Sequence, residues 1–267
     1  MINFSFRSIL NSLMSHRKYA TLSLVFALYS APMDVSADTS ISSNIVNIGE
    51  KAHIGSIVID NNNIHSANTI TTGIGKIIKE ERNLPSFSIV DIRLSADIEI
   101  VQHPSRQLTI SSNKNVLPLI STQVKDQTLV ISNTASFISQ EAISIKIKTP
   151  TLTSIQQHGA GTVNLYAINQ PKLFIQLNGS GDITAEGKVS KLVALLNGSG
   201  DLNLGALHAL HGQLDLAGAG DISITVENHF SATISGAGNI TYCGSPTIKQ
   251  HIDGAGELIQ NCGDNLF

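Results

Sequence analysis

The sequence predicts an all-β fold, a β-helix-like solenoid built from coils of 18–20 residues. Three observations carry this reading. The core G-[SA]-G-x, followed by an aliphatic residue, occurs six times, with first glycines at Gly159, Gly179, Gly198, Gly218, Gly236 and Gly254. The second glycines are Gly161, Gly181, Gly200, Gly220, Gly238 and Gly256. On both sides of each pair, apolar residues alternate with polar ones at a period of two, which is the period of a strand with one buried face. The composition also disfavours helices. The 267 residues include 21 Gly, no Trp and only 14% charged residues, whereas a bundle or coiled coil needs about half Ala, Glu, Lys, Leu and Arg.

The chain opens with an address. Arg17 and Lys18 precede the uncharged stretch from Tyr19 to Met33, which leads into the small-residue site Val35-Ser36-Ala37. That order predicts a secretory signal peptide over residues 1–37, with Met14 as an alternative start. Its apolar core is shorter than the roughly 20 residues of a membrane span, so no transmembrane span is expected in the mature chain. Cleavage removes Arg7, Arg17, Lys18 and Asp34 and moves the net charge from −3 to −5. With no cysteine near the cleavage site, an N-terminal lipid is not expected. The expected location is periplasm, cell surface or secreted, where disulfides form. No basic run exceeds Arg17-Lys18, which argues against the clustered footprint of a nucleic-acid binder.

Residues 38–82 mix Ser, Asn and Thr with short apolar runs such as Ile54 to Ile59, and read as a leader, a cap or an extra β layer. The solenoid head is expected over residues 83–267. Its first part holds strands near residues 87–94, 97–101, 108–111, 128–132 and 143–148, and Ser95-Ala96-Asp97-Ile98 has the form of a degenerate turn.

From Gly159 onward the repeats align. Two residues before each first glycine stand Gln157, Leu177, Leu196, Leu216, Ile234 and Ile252; four residues after it stand Val163, Ile183, Leu202, Ile222, Ile240 and Leu258. Eleven of these twelve are aliphatic, so each repeat is at least strand, turn, strand. Units this short need stacking to bury a core. A β-helix with one repeat per coil and a chain of hairpins both satisfy the pattern; like residues standing on like favour the coil, and a propeller blade needs about 40 residues or more. The paired glycines fit a turn with φ > 0 or a close approach of backbones. Cys243 and Cys262 lie 19 residues apart, one repeat, and neighbouring rungs about 4.8 Å apart fall within the Cα separation of a disulfide. Their offsets from the local glycine differ by one residue, but a bond between them is expected.

The succession Phe87-x-Ile89, Asp97-Ile98-Glu99-Ile100, Asn115-Val116-Leu117-Pro118, Val124 to Leu129, Pro150-x-Leu152 and then the G-[SA]-G-[DN]-[IL] series resembles the autotransporter adhesin head domain, or head GIN domain, over about residues 84–262. The resemblance implies a right-handed β-helix-like fold in exported bacterial envelope proteins, a family of unknown function with no assigned catalytic residues. Only Asn261 to Phe267 follow the head, so self-export through a C-terminal membrane β-barrel is not expected.

The candidate chemistry is sparse. Thr162, Asp182, Asp201, Asp221, Asn239 and Glu257 form a polar column directly after the second glycines. Calcium is one reading of Asp182, Asp201 and Asp221, but calcium takes six to eight oxygens and one carboxylate per rung offers few; turn hydrogen bonding is preferred. His208, His211, His229 and His251 invite zinc, yet their offsets of 10, 13, 11 and 15 residues from the preceding glycine form no single ladder. The region from Gly159 to Cys262 contains no Arg, and no G-x-S-x-G, Walker or H-E-x-x-H string is present. No catalytic, cofactor or metal residues are assigned. The expectation is a noncatalytic binding or adhesion-type module for a glycan or envelope protein, with a carbohydrate-active enzyme on the same scaffold as the alternative. The oligomeric state is open.

Overall fold

The computed structural model describes residues 46–48, 51–60 and 63–263, with side chains from residue 70 onward. The expected signal peptide lies outside the described residues. Two compact units separate, residues 1–43 with 56–67, and residues 44–55 with 68–267. In the first, the described residues are the strand stretches 56–60 and 63–67. In the second, β1 (Val46–Ile48) pairs antiparallel with the start of β2 (Lys51–Asp60). The end of β3 (Asn63–Thr72) takes a short parallel partner at Phe137 and Ile138.

The rest of the second unit is a β-solenoid of about five turns. Its upstream strands are β4 (Ile77–Arg82), β5 (Ile89–Ile92), β6 (Asp97–Gln102), β7 (Gln107–Asn113), β8 (Ile120–Lys125), β9 (Thr128–Asn133), β10 (Phe137–Ile138), β11 (Ser144–Thr149) and β12 (Ser154–Gln157). The regular coils are β13 (Thr162–Leu177), β14 (Asp182–Leu196), β15 (Leu202–Leu216) and β16 (Ile222–Ile234). The last coil is split into β17 (Ile240–Cys243), β18 (Thr247–Ile252) and β19 (Leu258–Gln260).

Each regular coil is one long strand that bends midway, closed to the next by a G-x-G turn. The bend shows as a register shift, between Leu165 and Ile168 in β13 and between Thr184 and Gly187 in β14. All pairings along the regular coils are parallel, and the inward columns beside the turns bring like onto like. Val163, Ile183, Leu202, Ile222, Ile240 and Leu258 form one column; Leu177, Leu196, Leu216, Ile234 and Ile252 form another. Nearly all of these side chains are fully buried down to Ile240. A fully buried aliphatic side chain contributes about 1.5–3 kcal/mol, and the stack gains that at every rung. The one polar member, Gln157, is also buried, and its Nε2 donates to the Gly161 carbonyl at 2.8 Å.

The period does not stop at Gly159. β12 stacks parallel on β5 and β13 on β6, so residues 89–102 form the rung beneath, and β9 with β11 stack below that. The degenerate turn lies where that stacking requires it, since a Cβ on Gly161 would strike the Ala96 backbone. Antiparallel strands then end the stack, β8 on β9, β7 on β11 and β4 on β7. Arg82 fastens this cap: its guanidinium donates to the carbonyls of Ile120 (2.6 Å) and Leu117 (3.1 Å) and to Glu80 (2.7 Å). At the other end, no described strand pairs with the outer edges of β18 and β19.

Candidate functional site

The repeated turns form a ladder of backbone contacts. A Cβ on Gly179 would fall on the carbonyl oxygen of Gly159, one on Gly198 on that of Gly179, and the same holds for Gly218, Gly236 and Gly254. The second glycines repeat the pattern, Gly181 on Gly161 through to Gly256 on Gly238. Of the twelve, only Gly161 has a positive φ, 115°. Close approach, rather than left-handed backbone, therefore selects glycine here. The carbonyls so protected accept hydrogen bonds from the next rung: Ser199, Ala219, Ala237 and Ala255 donate their N–H to Gly179, Gly198, Gly218 and Gly236 at 3.0–3.1 Å.

The polar column after the turns is a second ladder. The N–H of Asp201 donates to Asp182 Oδ1 (3.0 Å), that of Asp221 to Asp201 Oδ1 (2.8 Å), that of Asn239 to Asp221 Oδ1 (2.6 Å) and that of Glu257 to Asn239 Oδ1 (3.0 Å). Each side chain caps the turn above it, the role expected of Asp and Asn in turns. Charge-assisted bonds of this kind offset the repulsion of three stacked carboxylates. Among the described residues, no three of His, Cys, Asp and Glu stand together as a metal site.

Cys243 and Cys262 are bonded, with Cα atoms 4.8 Å apart. Tyr242 pairs with Gln260, so Cys262 lies one residue past the in-register position, as the unequal offsets from the local glycines require. The bond ties the segment that follows β19 to the end of β17.

Outward-facing positions of the half-coil after each turn carry Asn164, Thr184, Asn203, Ser223 and Thr241 in one register. All five are uncharged, and none is buried. The half-coil before each turn is different. Lys172, Lys191, His211, His229 and Thr247 stand in one column, and the rings of His211 and His229 stack with centroids 5.2 Å apart. Counting from the preceding glycine separates these two histidines, so this juxtaposition is absent from the sequence expectation. Coil length varies within the bend; all five residues lie seven positions before the following glycine. Counting backward would have found the column. His208 lies in the bend beside Lys188, and His251 on β18 opposite Thr233.

A separate polar network crosses four rungs. The buried Asp91 carboxylate pairs with Arg93 at 2.7 Å, and its other oxygen lies 3.4 Å from His158 Nε2. By hydrogen bond first and charge second, Asp91 holds the Arg93 guanidinium above its ordinary pKa range. Asn178 receives from Gln176 and Asn197 on Oδ1 and turns its Nδ2 toward His158 Nδ1. Among the described residues, no helix is long and apolar enough to cross a membrane.

Residues 86–246 match the family described as "Putative auto-transporter adhesin, head GIN domain". Among solved structures, a "putative adhesin" from Bacteroides fragilis superposes with a TM-score of 0.61 at 25% sequence identity, over 71% of this chain and 99% of that one. A "putative adhesin" from Parabacteroides merdae superposes with a TM-score of 0.52 at 19% identity, over 72% and 98% of the two chains. No curated protein matches the chain in sequence.

Proposed function

Since the chain belongs to the head GIN domain family of auto-transporter adhesins, we propose that it is an exported, noncatalytic binding module that holds a glycan of the cell envelope or a neighbouring cell. The column Asn164, Thr184, Asn203, Ser223 and Thr241 carries this reading. It offers one uncharged hydrogen-bonding side chain per rung, about 4.8 Å apart, on a backbone whose register is held by buried columns and glycine contacts. Such a surface is preorganised, and little side-chain or loop ordering opposes binding. Hydroxyl-rich polymers suit it, because each rung supplies donors and acceptors without a charge to desolvate.

The family supports placement outside the cytoplasm or in the envelope. The signal peptide of residues 1–37, the leader or extra layer of residues 38–82 and the head over 83–267 belong to the same proposal. Glycan-array binding by the chain, with loss on Asn203→Ala plus Thr184→Ala, is the expected result. Release of reducing sugar from a pool of polysaccharides would instead make the protein a carbohydrate-active enzyme. Protease accessibility on intact cells separates surface from periplasm.

A further inference from the structure

On the coils from Gly159 onward most charge is sorted between turn and bend, with Asp215 the exception, exposed on the half-coil before the turn. Asp182, Asp201, Asp221, Asp253 and Glu257 flank the G-x-G turns. All four lysines between Gly159 and Cys262, namely Lys172, Lys188, Lys191 and Lys249, lie instead in the bends or on the half-coil that follows them. The bend region also holds Glu186 and Glu227, and Glu227 lines a cleft with Lys188 and His208. One stretch has no carboxylate in its lining, although Asp215 lies two residues beyond Gln213 at its rim. Between β14 and β18 a groove of about 290 Å³ is bordered by Lys191, His211, His229, Thr247 and Lys249. Gly212 and Phe230 form part of its floor. Neither Lys191 nor Lys249 pairs with an acidic group among the described residues.

We infer that this groove is a subsite for the carboxylate of an acidic glycan, a uronic-acid unit bound on the half-coil before the turns, whereas the polar column of the proposed function lies on the half-coil after them. The inference rests on that function. Lys191, Lys249 and two imidazoles border an open space at the lower end of the small-ligand range, roughly 300 Å³. The rungs fix the spacing of the four backbone positions, and ordering each exposed lysine on a carboxylate costs side-chain entropy. Ser231, paired with Lys249 on the adjoining strand, adds a hydroxyl at the rim.

Calorimetry on the full chain tests this with polygalacturonate fragments, the same fragments fully methyl-esterified, and linear polyphosphate. The acid form binds at least about tenfold more tightly than the ester, the scale of one or more charge-assisted hydrogen bonds. Lys191→Gln plus Lys249→Gln removes that difference, while Asp201→Asn leaves it. Thr247→Glu, which places a carboxylate in the column, abolishes acid binding with an unchanged melting temperature. Equal affinity for acid and ester overturns the subsite but leaves the glycan function standing. Absence of binding to either form overturns the subsite, and a blank glycan array alongside it overturns the function as well. Polyphosphate binding as tight as polygalacturonate also overturns it, since diffuse charge attraction then suffices.

Discussion

A Cβ is the smallest change that the turns cannot accept. At Gly218 it would meet the carbonyl oxygen, carbonyl carbon and nitrogen of Gly198, and backbone held by flanking buried strands has nowhere to move. Overpacking of this kind costs about 1–3 kcal/mol. Gly218→Ala is therefore expected to lower the melting temperature by several degrees, at about 2–4 °C per kcal/mol for a domain of this size. Ala219→Ser serves as the control, because Ser180 and Ser199 occupy the same place in other rungs. An unshifted melting curve for Gly218→Ala would overturn the close-approach explanation. The twelve glycines were legible as turns from their spacing. Which of the two reasons for glycine applies was not, because φ and interstrand distance are properties of the folded backbone. Asp201 is a similar case: its position was plain from the repeat, but the N–H of Asp221 that it caps belongs to the next coil.

At the scale of elements, the ends of the stack contrast. β4, β7 and β8 close one end with antiparallel pairing, whereas β18 is exposed along its whole length. Terminal repeats require capping, and here a disulfide does that work on the last coil. Closing a loop of this length is worth about 3 kcal/mol. With both cysteines changed to serine, amide exchange in β18 and β19 is expected to rise at least about tenfold, while exchange in β13 to β15 stays as it was. Uniform acceleration across the molecule would mean that the bond supports the whole fold rather than its end. The strands β5, β6, β7, β9 and β11 were readable from alternation. β8, with Val124 half-buried and Ile120 buried, was not singled out, because only its antiparallel partner makes it a strand. The bends were missed for a related reason. They vary in length, and that variation shifts His229 relative to any count made from the preceding glycine.

For the whole molecule, quasi-one-dimensional stacking makes rungs removable. Deleting Ser180 to Gly198 joins Gly179 to Ser199 and sets Leu202 over Val163 and Leu216 over Leu177, preserving both aliphatic columns. The shortened chain is expected to keep its β circular dichroism and to melt cooperatively at a lower temperature, since one interface is lost while the others are unchanged. Loss of cooperative melting would show that the coils are not interchangeable. Sequence alone determined the solenoid class, the coil length and the inward columns, because each depends on local alternation and a repeated turn that the chain states six times. Tertiary structure decided how the repeat continues down through residues 89–102, which bonds the aspartates make, and that Lys191, His211 and His229 face one groove. Those features join residues from different coils across bends of unequal length, and only the stacked backbone sets that register.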